Sequence, residues 1–158
     1  MSAFPEWVEP MAATLTRERF AGPQWVFERK LDGIRLLAFK HGRDVRLLSR
    51  NRLLQNASNP SFVEAVAQLP VGDVILDGEA LGVWGRRDQI GDDAGYHVFD
   101  ILWLDGRDLT SLPLDARREV LTTLPLAPPL ALVGRLDDQE PWQRACKEIG
   151  RASCRERV

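Results

Sequence analysis

Glu28-Arg29-Lys30-Leu31-Asp32-Gly33-Ile34-Arg35 is the stretch from which the fold is read. An apolar run, Trp25-Val26-Phe27, leads into it, and a second, Leu36-Leu37-Ala38-Phe39, leads out. Two strand-like runs around a turn predict a hairpin. A turn that serves only the backbone more often carries a bare Asn-Gly or Asp-Gly pair. Here a lysine, an aspartate, a glycine and an arginine crowd the junction, where they can converge on a ligand.

Outward from this turn, the pattern predicts three strands over 25–29, 34–40 and 44–48, with Gly42 making the second turn. Ser49-Arg50-Asn51-Arg52 closes the third strand with polar groups. Asn59-Pro60 reads as the N-cap and first residue of a helix running to about Leu69, with Phe62, Val63, Val66 and Leu69 on one face. Residues 74–84 form a long extended stretch interrupted by Asp77-Gly78-Glu79, and residues 85–95 a polar loop. The near-continuous apolar run in 96–104 predicts a strand buried on both faces, turned by Asp105-Gly106. A helix is expected over about 114–124, with Arg117-Arg118 on its polar side, then a strand over 130–133. Asp137 or Asp138 is expected to cap a last helical piece that includes Cys146. Residues 1–23, punctuated by Pro5, Pro10 and Pro23, read as an irregular lead-in packed across the core edge. Strands cluster rather than alternate with helices, so the expected class is α+β, with mostly antiparallel sheets and packed helices.

The 158 residues predict one domain with a sizeable core. Hydrophobic residues at 44% and charged residues at 28% exclude wholesale disorder. No apolar run approaches the ~18 residues of a membrane span. The start, Met1-Ser2-Ala3-Phe4-Pro5-Glu6, lacks a signal-peptide pattern, so a cytoplasmic location is expected, with no membrane association and a monomeric state as further expectations. Two cysteines, Cys146 and Cys154, fit neither a disulfide framework nor a zinc site. The net charge of -2 leaves nucleic-acid binding open, because a local basic face suffices. Residues 149–158 match one reading frame of a sequencing adapter and are set aside as a non-native tail. Residues 1–148 are then expected to be part of a longer natural chain.

Three groups could carry chemistry. An amine nucleophile needs its free base, and burial beside another cation such as Arg35 favours that form of Lys30. Asp32 could orient the amine, Gly33 permits a tight turn, and Glu28 shares the strand face of Lys30. Asp77 and Glu79 interrupt an apolar stretch, where carboxylates are costly unless paired with cations or a metal. Such hard oxygen ligands suit magnesium held jointly with substrate phosphates. Phe99 in the strongest strand is either core or an aromatic plate for a planar base, and Arg50 and Arg52 at a strand end could clamp phosphate or ribose. His41 and His97 have no partner spacing for catalysis or metal binding and read as structural. Neither a Gly-x-x-x-x-Gly-Lys-Ser/Thr loop nor a Gly-x-Gly-x-x-Gly is present.

Taken together, these elements resemble the adenylation domain of ATP-dependent DNA ligases, of the bacterial ligase D type. Lys30-Leu31-Asp32-Gly33-Ile34-Arg35 matches the Lys-x-Asp-Gly-x-Arg signature of covalent nucleotidyltransferases. Leu48-Ser49-Arg50-Asn51, Asp77-Gly78-Glu79 and Val98-Phe99-Asp100-Ile101-Leu102 match the following elements in order. Leu104-Asp105-Gly106, Pro113-Leu114 and Arg117-Arg118 also fit. The resemblance implies an ATP-grasp-like nucleotidyltransferase fold, here C-terminally incomplete. It implies that Lys30 attacks the α-phosphate of ATP to give lysyl-AMP. Glu28 would bind the adenine amino group, Phe99 would stack on the adenine, and Arg35 and Arg50 would contact phosphate and ribose. Glu79 would bind ribose or help hold Mg2+. In a whole enzyme the AMP would pass to the 5′-phosphate of nicked or broken double-stranded DNA.

Two departures stand out: Leu31 replaces a common aromatic, and Arg52-Leu53-Leu54 replaces a glycine-containing turn. The family's Glu-Gly-x-x-x-Lys and Lys-x-Lys elements and its oligonucleotide-binding domain do not follow Glu148. This piece alone is therefore expected to join no DNA and to self-adenylate poorly or not at all. An RNA ligase or capping-type nucleotidyltransferase, or a non-enzymatic α+β domain, are the competing readings.

Overall fold

The structure, a computed structural model, describes residues 3–12, 14, 22, 25–82 and 94–136. The polar loop expected from 85 lies outside these residues up to 93, as do the final helical piece near Cys146 and the tail 149–158. The chain divides into two compact units. One comprises Met1–Pro10 with Asp32–Leu132, the other Met11–Leu31 with Val133–Val158.

The first unit is built on a six-stranded sheet. Strands β1 (Ile34–His41) and β2 (Asp44–Ser49) form a hairpin. Gly42 makes its turn at φ +58°, a conformation that glycine adopts without a Cβ penalty. Next come β3 (Asp73–Leu81), β4 (Gly95–Leu104), the two-residue β5 (Arg107–Asp108) and β6 (Leu130–Leu132). The order across the sheet is β2-β1-β3-β4-β5. All pairs are antiparallel except β6, which runs parallel to β4. The sheet is therefore mixed rather than purely antiparallel, within the expected α+β class.

Each face of the sheet has its own core. On one face Leu36, Ala38, Leu47, Leu76, Val98 and Ile101 pack with side chains from two helices. Helix α1 (Pro60–Ala67) supplies Phe62 and Val66, four residues apart on one stripe. Helix α2 (Leu114–Thr122) supplies Leu121. On the other face Leu37, Phe39, Ile75, Leu102 and Trp103 are covered by Phe4, Trp7 and Val8. The first part of the lead-in, residues 4–8, thus packs over the sheet. Burial on both faces explains why β3 and β4 read as apolar runs rather than as alternating strands.

Three expectations fail locally. Residues 25–29 form no strand; their pairing is a single bridge, Glu28 to Arg135, joined by the Leu136 amide donating to the Phe27 carbonyl at 2.8 Å. The charged stretch is therefore not a hairpin turn, because β1 pairs with β2 and β3. Asp77-Gly78-Glu79 does not interrupt the extended stretch either: β3 runs through it unbroken. Gly78 stands there because a Cβ would lie 2.6 Å from the His97 carbonyl oxygen and 2.7 Å from the Tyr96 ring. Asn59 and Pro60, by contrast, are the N-cap and first residue of α1 as expected, although the Asn59 side chain makes no capping bond. Its amide donates instead to the Gln55 carbonyl at 2.9 Å. Among the described residues no helix is long and apolar enough to cross a membrane.

Candidate functional site

The expected site residues fall in both units. Glu28 and Lys30 belong to the unit that contains Arg135; Lys30 is exposed and Glu28 half-buried. Asp32, Arg35, Arg50, Glu79 and Phe99 belong to the sheet unit. Of these, Arg35, Glu79 and Phe99 share one neighbourhood on the sheet, while Arg50 is exposed in the turn after β2 and Asp32 is exposed ahead of β1.

Strand register creates that neighbourhood. Arg35 of β1 pairs with Glu79 of β3, and Leu37 with Asp77. Residues two apart on a strand share a face, so Arg35 reaches along it to Asp77. Its Nε donates to Asp77 Oδ1 at 2.9 Å and its Nη2 to Oδ2 at 2.5 Å. This bidentate pair is largely dry, with side-chain exposures of 16% and 1%. Burial works against the Arg35 charge, but the hydrogen bonds and charge of Asp77 more than reverse this and hold its pKa above the ordinary arginine value. The same guanidinium lies 5.6 Å from the Phe99 ring centroid, within cation–π range.

Glu79 is buried, and its Oε1 accepts a hydrogen bond from the Gly33 amide at 3.1 Å. Gly33 must be glycine here: a Cβ would sit 2.2 Å from the Ala80 carbonyl oxygen. The Asp-Gly of the signature is thereby tied to the Glu of Asp77-Gly78-Glu79 by close backbone approach.

A second ion pair backs the first. Across β3 and β4, Asp77 is the register partner of Asp100. Asp100 receives Arg117 of α2, whose Nε and Nη2 donate to its two carboxylate oxygens at 2.8 Å each. The hydrogen bonds to Asp100 raise the Arg117 pKa above its ordinary value despite burial. The neighbouring Arg118 donates from Nη1 to the Phe99 carbonyl at 2.9 Å. Arg117 and Arg118 are both buried, which corrects their expected place on the polar side of the helix. The missed signal is the helical period itself: Leu114, Arg117, Arg118 and Leu121 recur at the three- and four-residue spacing of a buried stripe. Asp100 inside the most apolar strand was the complementary signal, since a buried carboxylate requires a partner.

His41 stacks on Phe4 with ring centroids 4.9 Å apart, and its Nδ1 lies 2.8 Å from Asp73 Oδ1, in keeping with a structural role. Among the described residues no three His, Cys, Asp or Glu side chains gather as a metal site.

Asp32-Gly33-Ile34-Arg35 thus leads into β1, with Glu79 on the neighbouring β3, in a mixed-sheet α+β unit. The family model described as ATP dependent DNA ligase domain matches residues 9–95, more than half of the 158-residue chain. The chain belongs to that family. A "Probable DNA ligase" of Pseudarthrobacter chlorophenolicus is 39% identical over 112 residues, covering 61% of this chain and 22% of the relative. The "Multifunctional non-homologous end joining protein LigD" of Pseudomonas aeruginosa is 34% identical over 132 residues, covering 76% of this chain and 16% of the relative. The chain thus spans less than a quarter of either relative's length. Among solved structures, the ligase domain of LigD from M. tuberculosis superposes with a TM-score of 0.62 at 30% identity, over 80% of this chain and 46% of that one. A mycobacterial DNA ligase D complexed with ATP and MES gives a TM-score of 0.62 at 28% identity, over 89% of this chain and 48% of that one.

Proposed function

We propose that residues 1–148 are part of the adenylation domain of an ATP-dependent DNA ligase, with an ATP-grasp-like nucleotidyltransferase fold, and that residues 149–158 are extraneous to it. The observation that carries this reading is the family match over 9–95, which includes Lys30-Leu31-Asp32-Gly33-Ile34-Arg35 and Asp77-Gly78-Glu79. The likeness to a ligase D structure complexed with ATP supports ATP as the nucleotide.

In this reading the Lys30 amine, with Asp32 orienting it, attacks the α-phosphorus of ATP. A nitrogen–phosphorus bond forms, the bond to the β-phosphate oxygen breaks, and pyrophosphate leaves as the amine gives up a proton. Glu28 recognises the adenine amino group and Phe99 stacks on the base. Arg35 and Arg50 engage phosphate and ribose, and Glu79 engages ribose or a magnesium ion. Asp77 and Asp100 are each held bidentately by an arginine, so Glu79, which also accepts from the Gly33 amide, is the carboxylate proposed for a magnesium ion brought in with the nucleotide. Magnesium binds through one or two carboxylates plus phosphate oxygens and offsets charge on the triphosphate. A whole enzyme carrying this unit would transfer AMP to the 5′-phosphate of nicked or broken double-stranded DNA and seal it in repair or recombination, as a cytoplasmic monomer.

The test uses a protein in which this chain continues into the Glu-Gly-x-x-x-Lys and Lys-x-Lys elements. With magnesium and ATP, mass spectrometry should find AMP on Lys30, lost in Lys30→Ala. An adduct that survives this substitution, or a preference for GTP, would overturn the assignment.

A further inference from the structure

Phe99 is not an ordinary rung of the sheet. The β3–β4 register runs from Asp77 opposite Asp100 directly to Gly78 opposite Val98, so Phe99 is the extra residue of a β-bulge. Bulges re-aim side chains, and they recur beside functional sites. This one is gripped from α2 by two consecutive residues. Arg118 binds the carbonyl of Phe99 itself, and Arg117 binds the carboxylate of the next residue, Asp100. Asp100 Oδ1 also accepts from the Ile101 amide at 2.9 Å. Arg117 is fixed in turn by donating from Nη1 to the Leu112 carbonyl at 2.6 Å. Both guanidiniums are buried, at 7% and 4% exposure for the two residues.

Two buried cations spent on one two-residue bulge exceed what joining a helix to a sheet requires, since apolar side chains of like volume do that at no loss of stability. What the arginines add is a fixed direction: planar forked donors hold their partners in one geometry. We propose that Arg117 and Arg118 are positioning residues that set the plane of the Phe99 ring, and so select a planar base stacked on it. The inference rests on the reading of Phe99 as the adenine plate. Arg35, lying 5.6 Å from the ring centroid, completes the frame from the β1 side.

The test combines amide hydrogen exchange across 98–101 with equilibrium binding of ATP, both on the protein in which this chain continues into the Glu-Gly-x-x-x-Lys and Lys-x-Lys elements. Arg118→Met should speed exchange at the bulge and weaken ATP about tenfold, a part of the full value of one base–aromatic stack. Arg118→Lys, which keeps a donor, should recover most of both. In a Phe99→Leu background Arg118→Met should cost no further affinity, whereas a general loss of folding would persist there. If the unsubstituted protein binds ATP and Arg118→Met leaves that affinity unchanged, the positioning role is overturned and the ligase reading stands. If bulge exchange responds but the unsubstituted protein binds no ATP, the reading of Phe99 as an adenine plate fails, and the positioning role fails with it.

Discussion

Asp77 of β3 and Asp100 of β4 face each other as register partners, and each is claimed by its own arginine, Arg35 from β1 and Arg117 from α2. Like charges directly opposite on neighbouring strands repel. Here the repulsion is offset from both flanks, so one rung of the sheet ties β1, β3, β4 and α2 into a single polar frame. Buried ion pairs are weak stabilisers relative to apolar packing, but they are costly to break from one side.

Removing one member of the Arg35–Asp77 pair should therefore cost far more than removing both. Asp77→Ala is expected to lower the unfolding free energy by about 3 kcal/mol in urea titrations, whereas Asp77→Leu combined with Arg35→Met should lose about 1 kcal/mol or less. Equal losses for the single and double variants would contradict the pairing.

Gly78→Ala places a methyl group 2.6 Å from the His97 carbonyl oxygen, deep between β3 and β4. Overpacking of this kind typically costs about 1–3 kcal/mol. Gly42→Ala meets open space, and its penalty comes only from the φ of +58°. The Gly78 variant should unfold at the lower denaturant concentration of the two.

Alkaline pH should act through Tyr96. Its hydroxyl is fully buried and donates to the Leu36 carbonyl, with the Leu76 carbonyl at 3.2 Å. Burial, then the Asp77 charge, pushes its pKa well above the ordinary 10.0. In the unfolded chain the phenol ionises near that ordinary value, so above it the unfolded state binds fewer protons than the folded one. Stability is then full below pH 10 and falls as pH rises further. Tyr96→Phe should flatten this alkaline limb while lowering stability at neutral pH. An unchanged limb would assign the effect elsewhere.

Lys40 is buried, and its ammonium donates to the Leu69 and Val71 carbonyls beyond the C-terminal end of α1. Lys40→Met keeps the apolar stem but leaves those carbonyls without their donor, at a cost of about 1–3 kcal/mol. For a chain of this size, that corresponds to a melting temperature lower by roughly 3–10 °C.

Much of the sheet unit is legible from local pattern. The β1–β2 hairpin with its Gly42 turn, the start of α1 at Pro60, β4 with its Asp105-Gly106 turn and the position of α2 follow from apolar period and turn chemistry over a few residues. Residues 25–29 and Asp77-Gly78 mislead for the same reason. A short apolar run looks alike whether it pairs as a strand or bridges once, and Asp-Gly looks alike in a turn and in a strand where another backbone approaches closely. The parallel seating of β6 on β4 brings together residues some 30 positions apart, which no local window contains.

For the site, the chemical types are legible along the chain: an amine nucleophile candidate in Lys30, carboxylates in an apolar strand at Asp77 and Glu79, and an aromatic in the strongest strand at Phe99. Spacing sufficed for this, because buried charges and a lysine beside Asp-Gly-x-Arg are informative without coordinates. How the charges are shared follows from the folded sheet. It assigned Asp77 to Arg35, tied Glu79 to the Gly33 amide, and turned Arg117 and Arg118 inward onto the Phe99 bulge. The physical reason is that a buried charge states its need for a partner locally, whereas the register and bulges of distant strands choose which partner meets it.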